Sequence, residues 1–225
     1  MHFDLSKILF FDVETVSQHK ELSDLPVEDR KLWDFYYDTF KERVTDKTKL
    51  PKVDPSEEVY KEEVYRQTSS LFPEFSKVCC ISVAFVTKDN GVKMNSFYGV
   101  NEYEILDKAR DIFNKVHGLG FQLCGQNIKN FDIPFLGKRY LINGLNPPDS
   151  FPTYNTKPWE MPLIDIKEVW SFTNQRGLSS LDLICSRIGV ESPKTGDVKG
   201  DNVYKNYWLK KYDEIKDYCQ KTYNL

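Results

Sequence analysis

The eight residues KILFFDVE, at positions 7–14, restrict the possible fold more than any other stretch of the chain. This apolar run predicts a buried strand whose C-terminal end carries polar chemistry. Asp12 and Glu14 are two positions apart, so their side chains project from the same face of that strand. Two carboxylates this close repel each other when buried. The spacing therefore indicates either a site for Mg²⁺ or Mn²⁺, or a strand end whose acids face water.

Further strands and helices follow along the chain. Two β-rich runs on either side of Asn90 and Gly91 predict a pair of antiparallel strands, and the runs at 121–127 and 161–170 predict the fourth and fifth strands. Hydrophobic periodicity and cap residues predict helices at 101–118, 131–144, 177–190 and 201–225. This order predicts an α/β fold, with a mixed five-stranded sheet and helices on both faces. Ligands of such sheets bind beyond the strand ends, where Glu14 and Asn127 are expected.

A strongly charged segment, residues 16–75, separates the first strand from the second. Its aromatic residues recur at helical spacing on both sides of a loop-like stretch at 45–55. We therefore predict a mostly helical insertion over the edge of one domain that spans residues 1–225.

Composition narrows the classes of partner. The net charge of −3 provides no basic field for a nucleic acid, so a polyanion would need positive charge supplied locally, for example by metal ions. No apolar run is long enough for a membrane span and no secretion signal is visible, so a cytoplasmic protein without membrane contact is expected. The five cysteines lack metal-ligand spacing, which predicts reduced, buried thiols and argues against a zinc site or disulfides.

Three short motifs in order carry a resemblance to a known family. FDVET at 11–15, NIKNFD at 127–132 and YCQKT at 218–222 resemble the DxE, NxxxFD and YxxxD motifs of DEDD-superfamily exonucleases of the DEDDy type. The similarity covers most of the chain. It points to the stand-alone bacterial family that resembles the 3′–5′ proofreading exonuclease domain of family B DNA polymerases.

The resemblance implies a ribonuclease-H-like fold. It also implies a two-metal hydrolysis, with Mg²⁺ or Mn²⁺, of phosphodiester bonds at the 3′ end of single-stranded nucleic acid. DNA is favoured over RNA as the substrate, although the residues themselves do not distinguish the two.

The resemblance also implies roles for the acids and the tyrosine of the motifs. Asp12 would bridge both metals, Glu14 would ligate one, and Asp132 would hold the second. Tyr218 would orient the attacking water. Two of these residues have ordinary alternatives: an acid such as Asp132 in the first turn of a helix complements the helix dipole, and Tyr218 could pack a helix against the sheet.

Three further residues are implied in substrate binding. Asn127 and Phe131 would support the site and the terminal nucleotide, and Thr15 would offer its backbone N–H or hydroxyl to the terminal sugar. The alternatives are a strand-end cap for Asn127 and a core aromatic for Phe131.

Thr222 departs from the family pattern, which has an aspartate four residues after Tyr218. A neutral hydroxyl is a poor Mg²⁺ ligand beside a carboxylate, so the fourth ligand position is in doubt. Asp165, in an otherwise apolar predicted strand, could replace it or could be a hydrogen-bonded structural acid. The sequence also stops three residues later, where the family's helix continues, so either its end is lost or the fourth ligand is naturally degenerate. The competing function is a degenerate exonuclease fold that binds nucleic acid ends or a protein partner with weak or no cleavage.

Overall fold

A computed structural model describes residues 3–45, 58–172, 174, 180–192 and 202–221. The strands in this part of the chain are β1 (Ile8–Ser17), β2 (Ser76–Val86), β3 (Val92–Tyr98), β4 (Gln122–Gly125) and β5 (Leu163–Asp165). The α-helices are α1 (Val27–Thr45), α2 (Glu58–Thr68), α3 (Glu102–Gly118), α4 (Asp132–Ile142), α5 (Ile166–Ser171), α6 (Leu181–Ile188), α7 (Val203–Trp208) and α8 (Tyr212–Lys221).

The strands form one mixed sheet with the order β3-β2-β1-β4-β5. β1 pairs antiparallel with β2 and parallel with β4, which in turn pairs parallel with β5. The predicted hairpin joins β2 to β3, and Asn90 adopts the left-handed backbone conformation (φ 61°) that its turn requires. The predicted five-stranded mixed sheet is therefore confirmed.

Helices cover both faces of the sheet because side chains alternate along β1. Leu9, Phe11 and Val13 point into a core shared with α3 and α4. Val16 points to the opposite face, into a smaller core that α7 and α8 close. The prediction of helices on both faces is also confirmed.

β1 is paired unequally on its two sides. Its ladder with β4 ends at Phe10, whereas its ladder with β2 continues to Ser17. Asp12 and Glu14 therefore lie on a stretch that has a neighbouring strand only on the β2 side. The prediction that Glu14 ends its strand is wrong, but the parallel half of the sheet does stop just before these two acids.

The predicted insertion contains α1 and α2, which pack around a core of their own centred on Trp33 and Tyr65. The rings of these two residues meet edge to face, 5.0 Å apart. The Oγ1 hydroxyl of Thr15 ties the end of this segment to β1 by donating to the carbonyl of Ser70 at 2.8 Å. The loop-like stretch predicted at 45–55 lies, apart from the last residue of α1, outside the described residues.

Two boundaries differ from those predicted. The predicted fifth strand at 161–170 is wrong beyond Asp165, because the Asp165 side chain accepts a hydrogen bond from the amide of Lys167 and caps α5. The closing segment, predicted as one helix, is divided into α7 and α8 around Lys210, whose backbone is left-handed (φ 61°). This break turns α8 back across the sheet.

The structure also bears on the cysteines and on membrane-spanning helices. All five cysteines are buried, as predicted. Among the described residues, no helix combines the length and the hydropathy needed to cross a membrane.

Candidate metal centre

Asp12 and Glu14 are half-buried and point to the face that α7 and α8 cover. They are paired on β2 with Ser82 and Cys80. Immediately after Glu14 the register shifts by one residue, so that Cys79 is a β-bulge whose thiol donates to the Glu14 carbonyl at 3.3 Å. Bulges bend a strand and redirect its side chains, and they are frequent beside active sites.

Cys219 of α8 meets these two acids. One ligand atom from each of Asp12, Glu14 and Cys219 lies within 4.8 Å of the others. The Cys219 thiol donates to the Asp12 main-chain oxygen at 3.5 Å, and its Sγ lies 3.9 Å from Asp12 Oδ2. Burial raises the pKa of this thiol well above its ordinary value, so it is uncharged when no cation is present.

Contacts at both ends of α8 fix the helix over the sheet. The hydroxyl of Tyr98 on β3 donates to Asp213 at 2.8 Å, and Nε2 of Gln220 donates to Ser96 Oγ at 2.9 Å. Ile215 and Cys219, one turn apart, are both buried against the sheet. The position of Cys219 therefore follows from the packing of the whole helix.

Asp132 begins α4 and is buried, with 5% of its surface exposed. Burial raises the pKa of this carboxyl group well above its ordinary value, and the charge of Asp12 raises it further. Hydrogen bonds from the backbone amides of Asp132 and Val13 only partly oppose this rise. Asp132 is thus an acid near Asp12 whose charge the surrounding protein does not compensate.

Asp165 holds the loop that carries the second motif. Its Oδ1 accepts from the amides of Asn127 (2.8 Å) and Lys167 (3.0 Å), and its Oδ2 accepts from the amide of Lys129 (3.1 Å). These three backbone donors are the contacts expected of the hydrogen-bonded structural acid, the alternative to a ligand. Its charge also contributes to the raised pKa of Asp132, so the two acids are close.

Asn127 shapes the same loop through its backbone. Its φ of 62° lies in the left-handed region, which asparagine tolerates better than most residues. Its carbonyl accepts from the amide of Phe131, and its side-chain oxygen accepts from Nζ of Lys167 at 3.2 Å. These contacts bring the chain round from β4 so that α4 begins at Asp132.

Phe131 lines a groove of about 560 Å³ between α1, α4 and the segment 71–75. Phe131 and Phe135 form one wall, with ring centroids 5.3 Å apart. Aromatic residues of the insertion, among them Phe35, line the other side. The groove thus begins one residue before Asp132, while the acids of β1 lie outside its lining.

Three predicted site residues remain, namely Tyr218, Thr15 and Thr222. Tyr218 is half-buried and packs against the core beneath α7 and α8, next to Cys219. The Thr15 hydroxyl donates to Ser70, so it is available to a ligand only as an acceptor. Thr222 lies outside the described residues.

The donor set suits a divalent cation. Carboxylate oxygens are the usual ligands of Mg²⁺ and Mn²⁺, and one ligand atom each from Asp12, Glu14 and Cys219 lies within 4.8 Å of the other two. The buried Asp132, whose pKa is raised by burial and by the charge of Asp12, is a further group that a cation would stabilise in its charged form.

Sequence reasoning missed Cys219, because all five cysteines were interpreted as inert core thiols. A signal was present. Cys219 is three residues before position 222, so on a continuous predicted helix the two positions would share one face, which the family pattern assigns to the metals.

Comparisons with known proteins bear on the family and the fold of the chain. Residues 70–223 match a family model described as a predicted 3′–5′ exonuclease related to the exonuclease domain of PolB. The matched span includes Asp132, Tyr218 and Cys219 and begins after Asp12 and Glu14. No curated protein matches the chain.

A similar solved structure is the family B DNA polymerase from the hyperthermophilic archaeon Pyrobaculum calidifontis, with a TM-score of 0.55 and 14% sequence identity. The alignment covers 96% of this chain and 23% of the polymerase chain, so the chain spans about a quarter of the polymerase's length. The likeness extends over nearly all of the chain and confirms the predicted ribonuclease-H-like fold.

Proposed function

The chain belongs to the family of predicted 3′–5′ exonucleases related to the exonuclease domain of PolB, and from this premise we propose that it hydrolyses phosphodiester bonds at the 3′ end of single-stranded nucleic acid, using two divalent ions. DNA is the more expected substrate because the related domain belongs to DNA polymerases. The observation that carries the proposal is that Asp12 and Glu14 lie close together where the parallel half of the sheet stops, and that the charge of Asp12 reaches the buried Asp132.

Three carboxylates would hold the ions, which are Mg²⁺ or Mn²⁺. Asp12 would be shared between them, Glu14 would complete one set of ligands and Asp132 the other. When bound, the ions supply positive charge that stabilises the attacking and leaving oxygens of the phosphodiester. Tyr218, which directly precedes Cys219 on α8, would orient the attacking water through its hydroxyl.

The aromatic groove supports a single-stranded substrate. Successive unpaired bases stack on aromatic side chains, and this groove offers several of them starting at Phe131, next to Asp132. Phe131 would contact the terminal base, and Asn127 would support the loop from which Phe131 projects. Thr15 would accept a hydrogen bond from the terminal sugar through its hydroxyl oxygen or donate one through its amide.

The whole chain, residues 1–225, would act as one domain. The insertion is joined to the sheet by the Thr15 hydroxyl and to α4 by Arg139, whose Nη1 donates to the carbonyl of Pro73 at 2.7 Å. α7 returns to the start of the insertion, where Trp208 Nε1 donates to Ser17 Oγ at 3.3 Å. These contacts come from both faces of the sheet and support a single folded unit.

Cleavage of a 5′-labelled single-stranded oligonucleotide tests the proposal. Shortening from the 3′ end should require Mg²⁺ or Mn²⁺, and the Asp12→Asn variant should abolish it. The Asp111→Asn variant, which changes an exposed acid on α3, should cleave like the parent. If no divalent ion supported shortening of the oligonucleotide, the proposal would be overturned.

Thr222 supports a second candidate function, in which the chain binds nucleic acid ends or a protein partner with weak or no cleavage. The reason is that the family's aspartate is missing from this position. The Thr222→Asp variant distinguishes the two candidates. A large gain of cleavage over an inactive parent would support the binding function, whereas equal activity would show that Thr222 suffices.

A further inference from the structure

We propose that Cys219 is a ligand of the same metal centre, and that its thiolate makes one ion site a mixed oxygen and sulfur site that prefers Zn²⁺ or Co²⁺ to Mg²⁺. The inference rests on the proposed function, because it assumes that Asp12 and Glu14 bind a cation. It assigns to sulfur a place that the family pattern reserves for a fourth carboxylate.

The first argument is distance. A sulfur and an oxygen on one tetrahedral zinc ion, with bonds of about 2.3 and 2.1 Å, are about 3.6 Å apart. Sγ of Cys219 is 3.9 Å from Asp12 Oδ2, which is close to this separation. Glu14 has a ligand atom within 4.8 Å of both, so a movement of its side chain by about an ångström or less would let it join them.

The second argument is the surroundings of the thiol. Cys219 is completely buried, and its Sγ lies 3.5 Å from the main-chain oxygen and 3.9 Å from Oδ2 of Asp12. Its thiol also contacts the thiol of Cys80, whereas the thiol of Cys79 donates to the main-chain carbonyl of Glu14. The Cys219 thiol therefore lies within reach of a side-chain carboxylate of the centre.

The third argument is the position on α8. Cys219 comes three residues before position 222, so in the family pattern, where this helix continues, the two positions would share one helical face. Contacts of Asp213 and Gln220 hold α8 against the sheet. The helix therefore presents a ligand to the acids although the aspartate of the family pattern is replaced.

The chemistry of the step is an exchange of cations. The thiol proton leaves to solvent and the metal ion takes its place on sulfur, with no change in oxidation state. Thiolate ligands favour Zn²⁺ and Co²⁺ over Mg²⁺, which prefers an octahedral shell of oxygens. The expected signature is a metal preference together with a sulfur-specific spectrum.

Titration of the full chain with Co²⁺ tests the inference. The parent should develop a sulfur-to-cobalt charge-transfer band in the near ultraviolet, and the Cys219→Ser variant should lose it while calorimetry still detects Co²⁺ binding. The Cys185→Ser variant, which changes a similarly buried thiol on α6, should keep the band. The Asp12→Asn variant should lose both the band and the binding.

Affinity provides an independent measurement on folded protein. The Zn²⁺ affinity of the Cys219→Ser variant should fall by at least the roughly 10- to 100-fold that loss of an outer-shell partner costs. The Cys219→Asp variant should shift the preference toward Mg²⁺. Co²⁺ binding without a sulfur band, or a band that survives in Cys219→Ser, would overturn this inference alone. No binding of any divalent ion would overturn the proposed function with it.

Discussion

Gly125 lies so close to Phe11 that a side chain would not fit between them. A Cβ atom at position 125 would be 2.7 Å from the Phe11 carbonyl oxygen and 2.6 Å from Cγ2 of Ile128. Gly125 ends β4, and Phe11 directly precedes Asp12 on β1. Close backbone packing at this point therefore sets the position of the first acid relative to the loop of the second motif.

Substitution of Gly125 should therefore destabilise the protein. We expect the Gly125→Ala variant to lose about 1–3 kcal/mol, because β1 or the Ile128 side chain must move. At Gly137 in α4, an added methyl group would meet no neighbouring atom within 4 Å, so Gly137→Ala should be neutral or stabilise by about 1 kcal/mol. Urea unfolding of both variants measures the difference, and equal stabilities would contradict the packing argument.

Asp165 should matter for stability even without metal. In the Asp165→Asn variant, at least one of the amides of Asn127, Lys129 and Lys167 would face an NH₂ group in place of an oxygen. The free energy of unfolding should therefore fall by about 1–3 kcal/mol. Unfolding in the presence of a chelator measures this cost, with Asp149→Asn as the exposed control. A variant that lost metal affinity but no stability would instead support Asp165 as a ligand.

The pH dependence of stability should report on Asp132. Its folded-state pKa is raised above the ordinary value of 3.8, chiefly by burial, so the folded protein binds a proton that the unfolded chain releases. This stabilising contribution is complete below pH 3.8 and is lost as the pH rises through the raised value.

The Asp132→Asn variant tests that dependence. In a chelator, it should be more stable than the parent at neutral pH, and its melting temperature should fall less as the pH increases. It should also lose cleavage, since a neutral amide is a weak ligand for a divalent ion. Asp111→Asn should keep the parental slope, and an unchanged slope in Asp132→Asn would contradict the assignment.

The buried pair of Arg139 and Glu102 should be the most costly ion pair to break. Nε of Arg139 donates to Glu102 at 2.8 Å, both residues are less than a tenth exposed, and a second Arg139 nitrogen also bonds Glu102. Arg139→Met would leave the carboxylate buried without its partner, at a cost of about 3–5 kcal/mol.

A neighbouring ion pair provides the matched control. Lys138 bonds Glu74 at 2.9 Å, but both side chains are more than half exposed, so Lys138→Met should change stability by less than about 1 kcal/mol. Thermal unfolding compares the two variants. Similar losses for Arg139→Met and Lys138→Met would show that burial does not set the strength of the pair.

Much of the fold could be predicted from sequence because its signals are local. Alternation and apolar runs located the strands, and Asn101 capped α3 as expected, with its side chain accepting from the amide of Glu104. The limit of β5 could not be read in the same way, because the IKEVW segment suits either a strand or a helix. The three amides that meet Asp165 come from two separate segments and decide between these possibilities.

The candidate site shows the same difference between local and long-range signals. The motifs located Asp12, Glu14 and Asp132 because their spacing is recorded in short stretches of sequence. Cys219 could not be assigned from spacing alone, because its contact with Asp12 joins positions 207 residues apart. The helix break at Lys210 turns α8 toward β1. No adjacent glycine or proline in the sequence indicates this break.

The 207 residues that separate Asp12 from Cys219 in the sequence have a consequence for biosynthesis. A nascent chain acquires Asp12 early, but α8 can cover this strand only after about two hundred further residues have been added. Contacts of such long range form late in folding, because the intervening chain must first be ordered. A growing polypeptide would thus carry no assembled centre until α8 has been synthesised and has left the ribosome.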